Sequence, residues 1–514
     1  MGTEVRFDLI LPIHSMYALI VTSCLSYLLA LAVYRLFFHP LHKYPGPTFA
    51  ALTDWHEAYH NIVKCGGLVA EIDRLHKIHG PVIRVGPNKL HFNDRHAYHD
   101  IYTYGSTLIK ERNFYHGILA HCPNGIVSTC DPQEAKRRRG LLGPLFSRQA
   151  LLELEYTIQK KVDQLVTLLE ECYSSPDSSA MLSSAYRSLT ADVITEYCFA
   201  DSTNTLADPN FAHPVVQSVH DYVDRIWIQR HFPFIIKFMT KAPPNIVLWL
   251  LPAFQSYLDM KEKYERQIDN LLRNPEALSN TTHETIYHHL LEPKDPASRL
   301  TRNVLVQEAF TLVAAGSETV GHQCAVGTYF ALKNPSIVRK LINELREVWP
   351  DKGRPMSFVA LEKLPYLTAF IKETLRISIG LVHPLPRIVS QEATEIGGLK
   401  IPAGTIVEMS HFFMLMNKEV FPDPYIFNPD RWLVGETKDM MLDLVTFSKG
   451  SRMCLGINLA WTELYLIFGN IFRKLELTLV AEEQSDLSLE TMSDFVAAQW
   501  KQQDYRVFVK RVHE

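Results

Sequence analysis

Ten residues near the end of the chain, Phe447-Ser448-Lys449-Gly450-Ser451-Arg452-Met453-Cys454-Leu455-Gly456, constrain its fold more than any other stretch. They run from a loop into an apolar segment that begins a helix near Leu455. A cysteine there meets the backbone N–H groups and positive dipole end of that helix, which stabilise a thiolate. A thiolate is a soft, electron-rich ligand suited to haem iron, where an axial cysteine pushes electron density onto the metal. Gly450 and Gly456 let the backbone turn and approach a flat macrocycle with no Cβ in the way. Arg452 is a fixed cation of the kind that holds a carboxylate, here a haem propionate. Phe447 shields the sulfur from water. Taken alone, Cys454 also reads as a buried free cysteine beside a tight turn.

The whole pattern, Phe-x-x-Gly-x-Arg-x-Cys-x-Gly, resembles the haem-binding signature of the cytochrome P450 family of haem-thiolate monooxygenases. Its continuation, Ile457-Asn458-Leu459-Ala460-Trp461-Thr462-Glu463-Leu464-Tyr465, resembles fungal microsomal members of the trichodiene-oxygenase-like group. The resemblance implies haem b, its iron held by Cys454. It also implies a mainly α fold with small β-sheets, a triangular haem-thiolate domain behind an N-terminal transmembrane helix.

At 514 residues the chain exceeds the usual single-domain size. No Gly/Ser-rich linker, charge block or internal repeat divides it. The expected division is a membrane anchor over residues 1–40 and one catalytic domain over 41–514. A net charge of −4 lacks the basic footprint of a nucleic-acid-binding protein. The eight cysteines form no Cys-x-x-Cys pair and no zinc spacing. Their scatter fits reduced thiols facing the cytosol.

From Leu9 to Tyr34 no Asp, Glu, Lys or Arg appears. Such a run crosses a hydrocarbon core of ~30 Å with some tilt. His14 and Pro12 weaken its front, which favours Met16 to Phe38 as the span. Glu4, Arg6 and Asp8 precede it; Arg35, His39, His42 and Lys43 follow, so the positive-inside rule puts the bulk of the chain in the cytosol. A cleaved signal peptide would have a shorter core and a small-residue cleavage site. Tyr44-Pro45-Gly46-Pro47 is a stiff, non-helical spacer, similar to the proline hinge of microsomal family members.

Residues 81–87 and 89–92 read as two strands around a Gly-Pro-Asn turn. Tyr104 to Cys130 reads as irregular; the resemblance makes it a lid, with Phe114, Tyr115, Ile118 and Leu119 as substrate contacts. Asp131 to Phe146 holds Lys136-Arg137-Arg138-Arg139. In the family this helix crosses the proximal side of the haem, with an aromatic residue or His placed four before an Arg. Counting back from Pro144-Leu145-Phe146-Ser147 puts Arg139 at the Arg position and Ala135 at the aromatic one, a departure that costs one propionate hydrogen bond. His213 to Leu258 is unusually apolar, which fits the roof of an apolar pocket or a second bilayer contact.

Thr301 to Asn334 is helical in pattern, with Thr301 able to cap it and Pro335 to stop it. Its middle reads Ala314-Ala315-Gly316-Ser317-Glu318-Thr319. Glycine inside a helix costs about 1 kcal/mol relative to alanine, and close approach of a flat cofactor at Ala315 and Gly316 accounts for it. Glu318 and Thr319 match the family's acid–alcohol pair, which implies proton delivery during dioxygen activation. The plainer alternative is that Thr319 bonds a carbonyl one turn back and Glu318 pairs at the surface.

Glu373 and Arg376 share a helix face. With Arg431 of Asn428-Pro429-Asp430-Arg431-Trp432 they match the family's structural triad, which serves folding and haem retention. Gly380 to Arg387 resembles the strand that brushes the haem; Arg387 is a second propionate candidate, and Leu381, Val382, Pro384 and Leu385 would face substrate. Residues 396–404 form a hairpin, residues 476–480 and 505–509 closing strands, and Phe495 is placed near the pocket.

The resemblance implies hydroxylation or epoxidation of a lipophilic secondary-metabolite intermediate, with a terpenoid first and a polyketide or alkaloid next. No Rossmann fingerprint appears, so electrons must come from outside; the resemblance implies an NADPH-dependent diflavin reductase, with cytochrome b5 as a further donor, at the endoplasmic reticulum membrane. Lys136, Arg137, Arg138 and Lys449 would form the docking patch. Two alternatives remain: a haem-thiolate isomerase or dehydratase that needs no reductase, and a non-catalytic haem-binding membrane protein.

Overall fold

The computed structural model describes residues 13–252, 254–293, 295–435, 437–480, 487, 491–500 and 504–512. The expected anchor front, Leu9 to Pro12, and the charges Glu4, Arg6 and Asp8 lie outside them. Helix Ile13–Val33 continues as a π-helical turn over Tyr34–Phe38. Its apolar stretch Ser15–Phe38 is long enough to cross a bilayer, and none of it is buried against the rest of the chain. Gly46 of the proline spacer presses on the Arg84 carbonyl, where a Cβ would come within 2.2 Å.

The molecule is built around helix Arg302–Lys333, 32 residues long, or about 50 Å. Thr301 holds the N-cap position without a side-chain cap bond; Asn334 caps the helix that follows, accepting from Ser336 N. The central helix packs most extensively on Leu182–Phe199. Helices Arg148–Tyr173, Pro365–Ser378 and Ile457–Lys474 complete one continuous core.

The largest sheet is ordered Val82–Gly86, Lys89–Phe92, Ile406–Glu408, Arg387–Ile388, Ile109–Lys110. Only the Lys89–Phe92 and Ile406–Glu408 pair is parallel. The hairpin forms over Thr394–Ile396 and Leu399–Ile401, its turn made by Gly397 and Gly398, both at positive φ. Closing strands Leu475–Leu479 and Arg506–Arg511 pair antiparallel.

The expected irregular stretch from Tyr104 to Cys130 is partly regular. It contains strand Ile109–Lys110 and helix Arg112–Ile118. Glu111 caps that helix, accepting from Asn113 N at 2.9 Å and Phe114 N at 2.6 Å. The helix is too short to show a period, and a Glu before an Arg is a weak start signal.

Candidate active site

Phe447 O accepts from Cys454 N at 2.9 Å, folding the ten-residue stretch back on itself. Gly450 has φ +73°, and a Cβ there would meet the Thr103 carbonyl oxygen at 2.6 Å, so only glycine fits. Gly456 is ordinary in φ, −87°. A Cβ there would meet nothing closer than Phe146 at 4.0 Å, so that side of the loop is open. The Phe447 ring lies 6.4 Å from Trp461, at the start of the following helix.

Cys454 has open surface beside it, yet surrounding protein pushes its thiol pKa up. A backbone N–H from Gly456 and the Arg139 charge act in the opposite sense. Arg139 Nη1 donates to Met453 O at 2.8 Å, so the cation sits against the cysteine loop. A metal ion at the sulfur would supply the remaining charge needed for a thiolate.

Four cations gather around this loop: Arg139, Arg452, Arg387 and Lys110. Burial and the nearby Arg387 charge bring Arg452 down to about 10. Burial, Arg452 and Arg387 push Lys110 well below its ordinary value. Arg452 Nη2 donates to Thr129 O, Lys110 Nζ to Val127 O at 2.7 Å, and Arg387 Nη1 to the Tyr115 hydroxyl at 2.5 Å. No ion pair with a carboxylate is formed by these four among the described residues. Buried cations without counter-charge are costly. A ligand with two carboxylates and an iron that takes a thiolate fits both halves of this donor set, and haem b is such a ligand. Lys110 was not anticipated from sequence; a single lysine in a stretch without periodicity carries no signal.

On the central helix, Ala315 is exposed and Thr319 half-buried, although the residues around them are mostly buried. They lie one turn apart on one face. Thr319 Oγ1 donates to Ala315 O at 2.9 Å. Gly316 does not serve the role expected of it. A Cβ there would strike the Ile194 side chain at 2.6 Å, so the glycine admits the neighbouring helix rather than a cofactor. Glu318 is buried, not at the surface, and accepts from Arg187 Nε at 3.0 Å. His220 Nδ1 stands 3.8 Å away. Burial raises the Glu318 carboxyl, but Arg187 and His220 outweigh it and bring it down to about 2. The acid is therefore held charged on Arg187, turned from the Thr319 hydroxyl's bond. Arg187, on helix Leu182–Phe199, was also not anticipated from sequence.

Glu373, Arg376 and Arg431 meet in the structure. Arg376 forks onto Glu373 with bonds of 2.9 and 2.8 Å, and Arg431 Nε donates to Glu373 at 3.1 Å. Trp432 Nε1 and Asn428 N each add a bond to Glu373 at 2.9 Å. The arginines satisfy the carbonyls of Leu415, Pro422, Pro424 and Ile426, tying this segment to helix Pro365–Ser378.

The expected docking patch is smaller than its sequence. Arg138 is buried, donating to Glu308 at 2.8 Å and Glu134 at 2.6 Å. Arg137 forks onto Glu134. Lys136 is exposed and Lys449 half-buried. Adjacent sequence cations thus divide between an inner pair and a surface charge.

Phe114, Tyr115 and Ile118 pack with Ile226, Trp227 and Val496, flanked by Leu119, Leu381 and Phe495. Tyr115 belongs both to this apolar cluster and to the cation group. His383, buried beneath it, donates to Asp494 at 2.6 Å and stacks on Phe114.

A sequence model described as Cytochrome P450 matches residues 53–503. The chain belongs to the cytochrome P450 family. It is 34% identical to a tryptophan 6-hydroxylase of Fusarium equiseti, over 94% of each chain. It is 33% identical to a cytochrome P450 monooxygenase of Eupenicillium brefeldianum, over 91% of this chain and 94% of the other. A conidiogenone synthase of Penicillium rubens is 32% identical, over 95% of this chain and 98% of the other. The protein is thus a monooxygenase of the fungal secondary-metabolite type, with haem b whose iron is held by a cysteine thiolate. When bound, the haem supplies dioxygen chemistry; the protein supplies binding, orientation, electrostatics and water exclusion.

Proposed function

We propose that this P450 hydroxylates or epoxidises a lipophilic secondary-metabolite intermediate, a terpenoid first and a polyketide or alkaloid next. The observation that carries this reading is the cluster of Phe114, Tyr115, Ile118, Ile226, Trp227 and Val496. Segments far apart in sequence converge there on apolar and aromatic groups beside the haem-type cations. Such a wall selects by shape and apolar area, with few polar contacts. The resemblance of residues 457–465 to the trichodiene-oxygenase-like group favours a terpenoid.

In this reading Cys454 would hold the haem iron as its thiolate. Arg452, Arg387, Arg139 and Lys110 would hold its propionates. Ala315 and Gly456 border the macrocycle, Phe447 and Gly450 shape the cysteine loop, and Glu373, Arg376 and Arg431 brace it. Thr319, whose hydroxyl donates to Ala315 O, would hold a proton for delivery to the cofactor side of the helix. Glu318 can take part only by leaving Arg187. Residues 1–40 anchor the domain 41–514 in the endoplasmic reticulum membrane, single-pass, facing the cytosol. Exposed Phe234, Phe238, Ile246 and Trp249 support a second bilayer contact. Electrons come from an NADPH-dependent diflavin reductase, with cytochrome b5 as an auxiliary donor.

The test is turnover of a terpenoid, polyketide and alkaloid panel by the membrane-reconstituted chain. NADPH-dependent oxygenated product is expected only with added reductase. Product formed without reductase would contradict the reading, as would activity retained by Cys454→Ala.

A further inference from the structure

A second metal-ligating cluster lies outside the haem site. His56 is on the short helix Trp55–Ala58, and His60 is one turn on, in the π-helical stretch Tyr59–Val63. Their rings are 4.8 Å apart. Glu71 reaches them from helix Leu68–His79. One donor atom from each of the three lies within 4.8 Å of the others, the sole such grouping among the described residues.

One further observation points to a cation. His56 is only 6% exposed, and its Nδ1 is buried with no hydrogen-bond partner, an expensive state for a polar atom.

We propose that His56, His60 and Glu71 bind one divalent cation of the zinc class. Two imidazoles and a carboxylate are a common zinc donor set, with water free to complete the tetrahedron. The sequence His56-Glu57-Ala58-Tyr59-His60 also reads as His-Glu-x-x-His, the pattern of zinc hydrolases. Its second half is disabled here. Glu57 is turned away and accepts from Lys89 Nζ at 2.6 Å, both side chains buried. Glu57 is thus not placed to act as a base on a cation held here. The site ties the turn after the anchor to the next long helix. Phe49, 6.4 Å from His56, extends the link toward the anchor, and Arg35 of the anchor's last turn donates to Leu52 O.

The site has a built-in competitor. Arg74, on the exposed side, donates to both Glu71 oxygens at 2.8 Å. Each Glu71 oxygen keeps a second lone pair for a metal, but the Arg74 charge opposes another cation there, so removing Arg74 should strengthen binding.

The experiment uses the full-length, haem-loaded chain in detergent, stripped with a chelator and dialysed against zinc alone. One zinc per chain is expected by elemental analysis, together with a zinc-dependent rise in Tm. His56→Gln with His60→Gln should weaken zinc by more than the about 10–100-fold that outer-shell changes cost, at unchanged haem content. Arg74→Ala should tighten it. No stoichiometric zinc in the wild type, or wild-type affinity in the double variant, overturns the proposal. If the double variant does not fold, Arg74→Ala decides alone: unchanged affinity removes Glu71 from the site.

Discussion

Lys110 and Arg387 stand directly opposite each other across an antiparallel strand pair. Both are buried. Like charges in facing positions weaken a sheet, and here neither finds a carboxylate among the described residues. In the proposed reading the two propionates of haem b would supply the missing counter-charge.

This arrangement gives opposite effects for apo and haem-loaded protein. Lys110→Met should raise the Tm of the apoprotein by relieving repulsion. The same variant should lose haem about tenfold faster to an excess haem-free acceptor protein, the worth of one charge-assisted hydrogen bond. Faster loss without apoprotein stabilisation would mean that Lys110 matters only for packing.

The Arg187–Glu318 pair is buried on both sides. Arg187→Leu leaves a buried carboxylate without its partner and should cost about 3–5 kcal/mol in urea unfolding. The sign with pH follows from a folded value lowered from 4.5 to about 2. The stability this group contributes is fully present above pH 4.5 and lost as pH falls through about 2. In Arg187→Leu that acid-side loss should disappear.

Thr319→Ala removes the hydroxyl that bonds Ala315 O. It should leave haem content unchanged and divert NADPH-derived electrons from product to peroxide. Coupling equal to wild type would take Thr319 out of proton delivery.

Much of this was legible because it depends on local pattern. The cysteine loop, the central helix and the Glu373–Arg376 pair lie on short motifs or strong periods. Other features are set by tertiary packing. Gly316 looked like a cofactor contact because a mid-helix glycine signals close approach but does not say to what; the partner is Ile194. Arg138 looked like surface charge because its neighbours are cations, whereas Glu308 draws it inward from far along the chain. Lys110 gains its meaning only when strand pairing places Arg387 opposite it.

Glu408 makes a contrasting pH prediction. Burial, aided by Glu57 and opposed by Lys89, raises it from 4.5 to about 7. Between these values the native state keeps a proton that the unfolded chain has released, so stability falls as pH rises from 4.5 to 7. Glu408→Gln should flatten that slope; an unchanged slope would assign it elsewhere.

The central claim is that Cys454 holds haem iron as a thiolate. The most direct test is the carbon monoxide difference spectrum of the reduced, membrane-reconstituted chain. A strongly red-shifted Soret band is expected, absent from Cys454→Ala. A band of the histidine- or thiol-ligated type, or no haem signal from folded protein, would contradict the account.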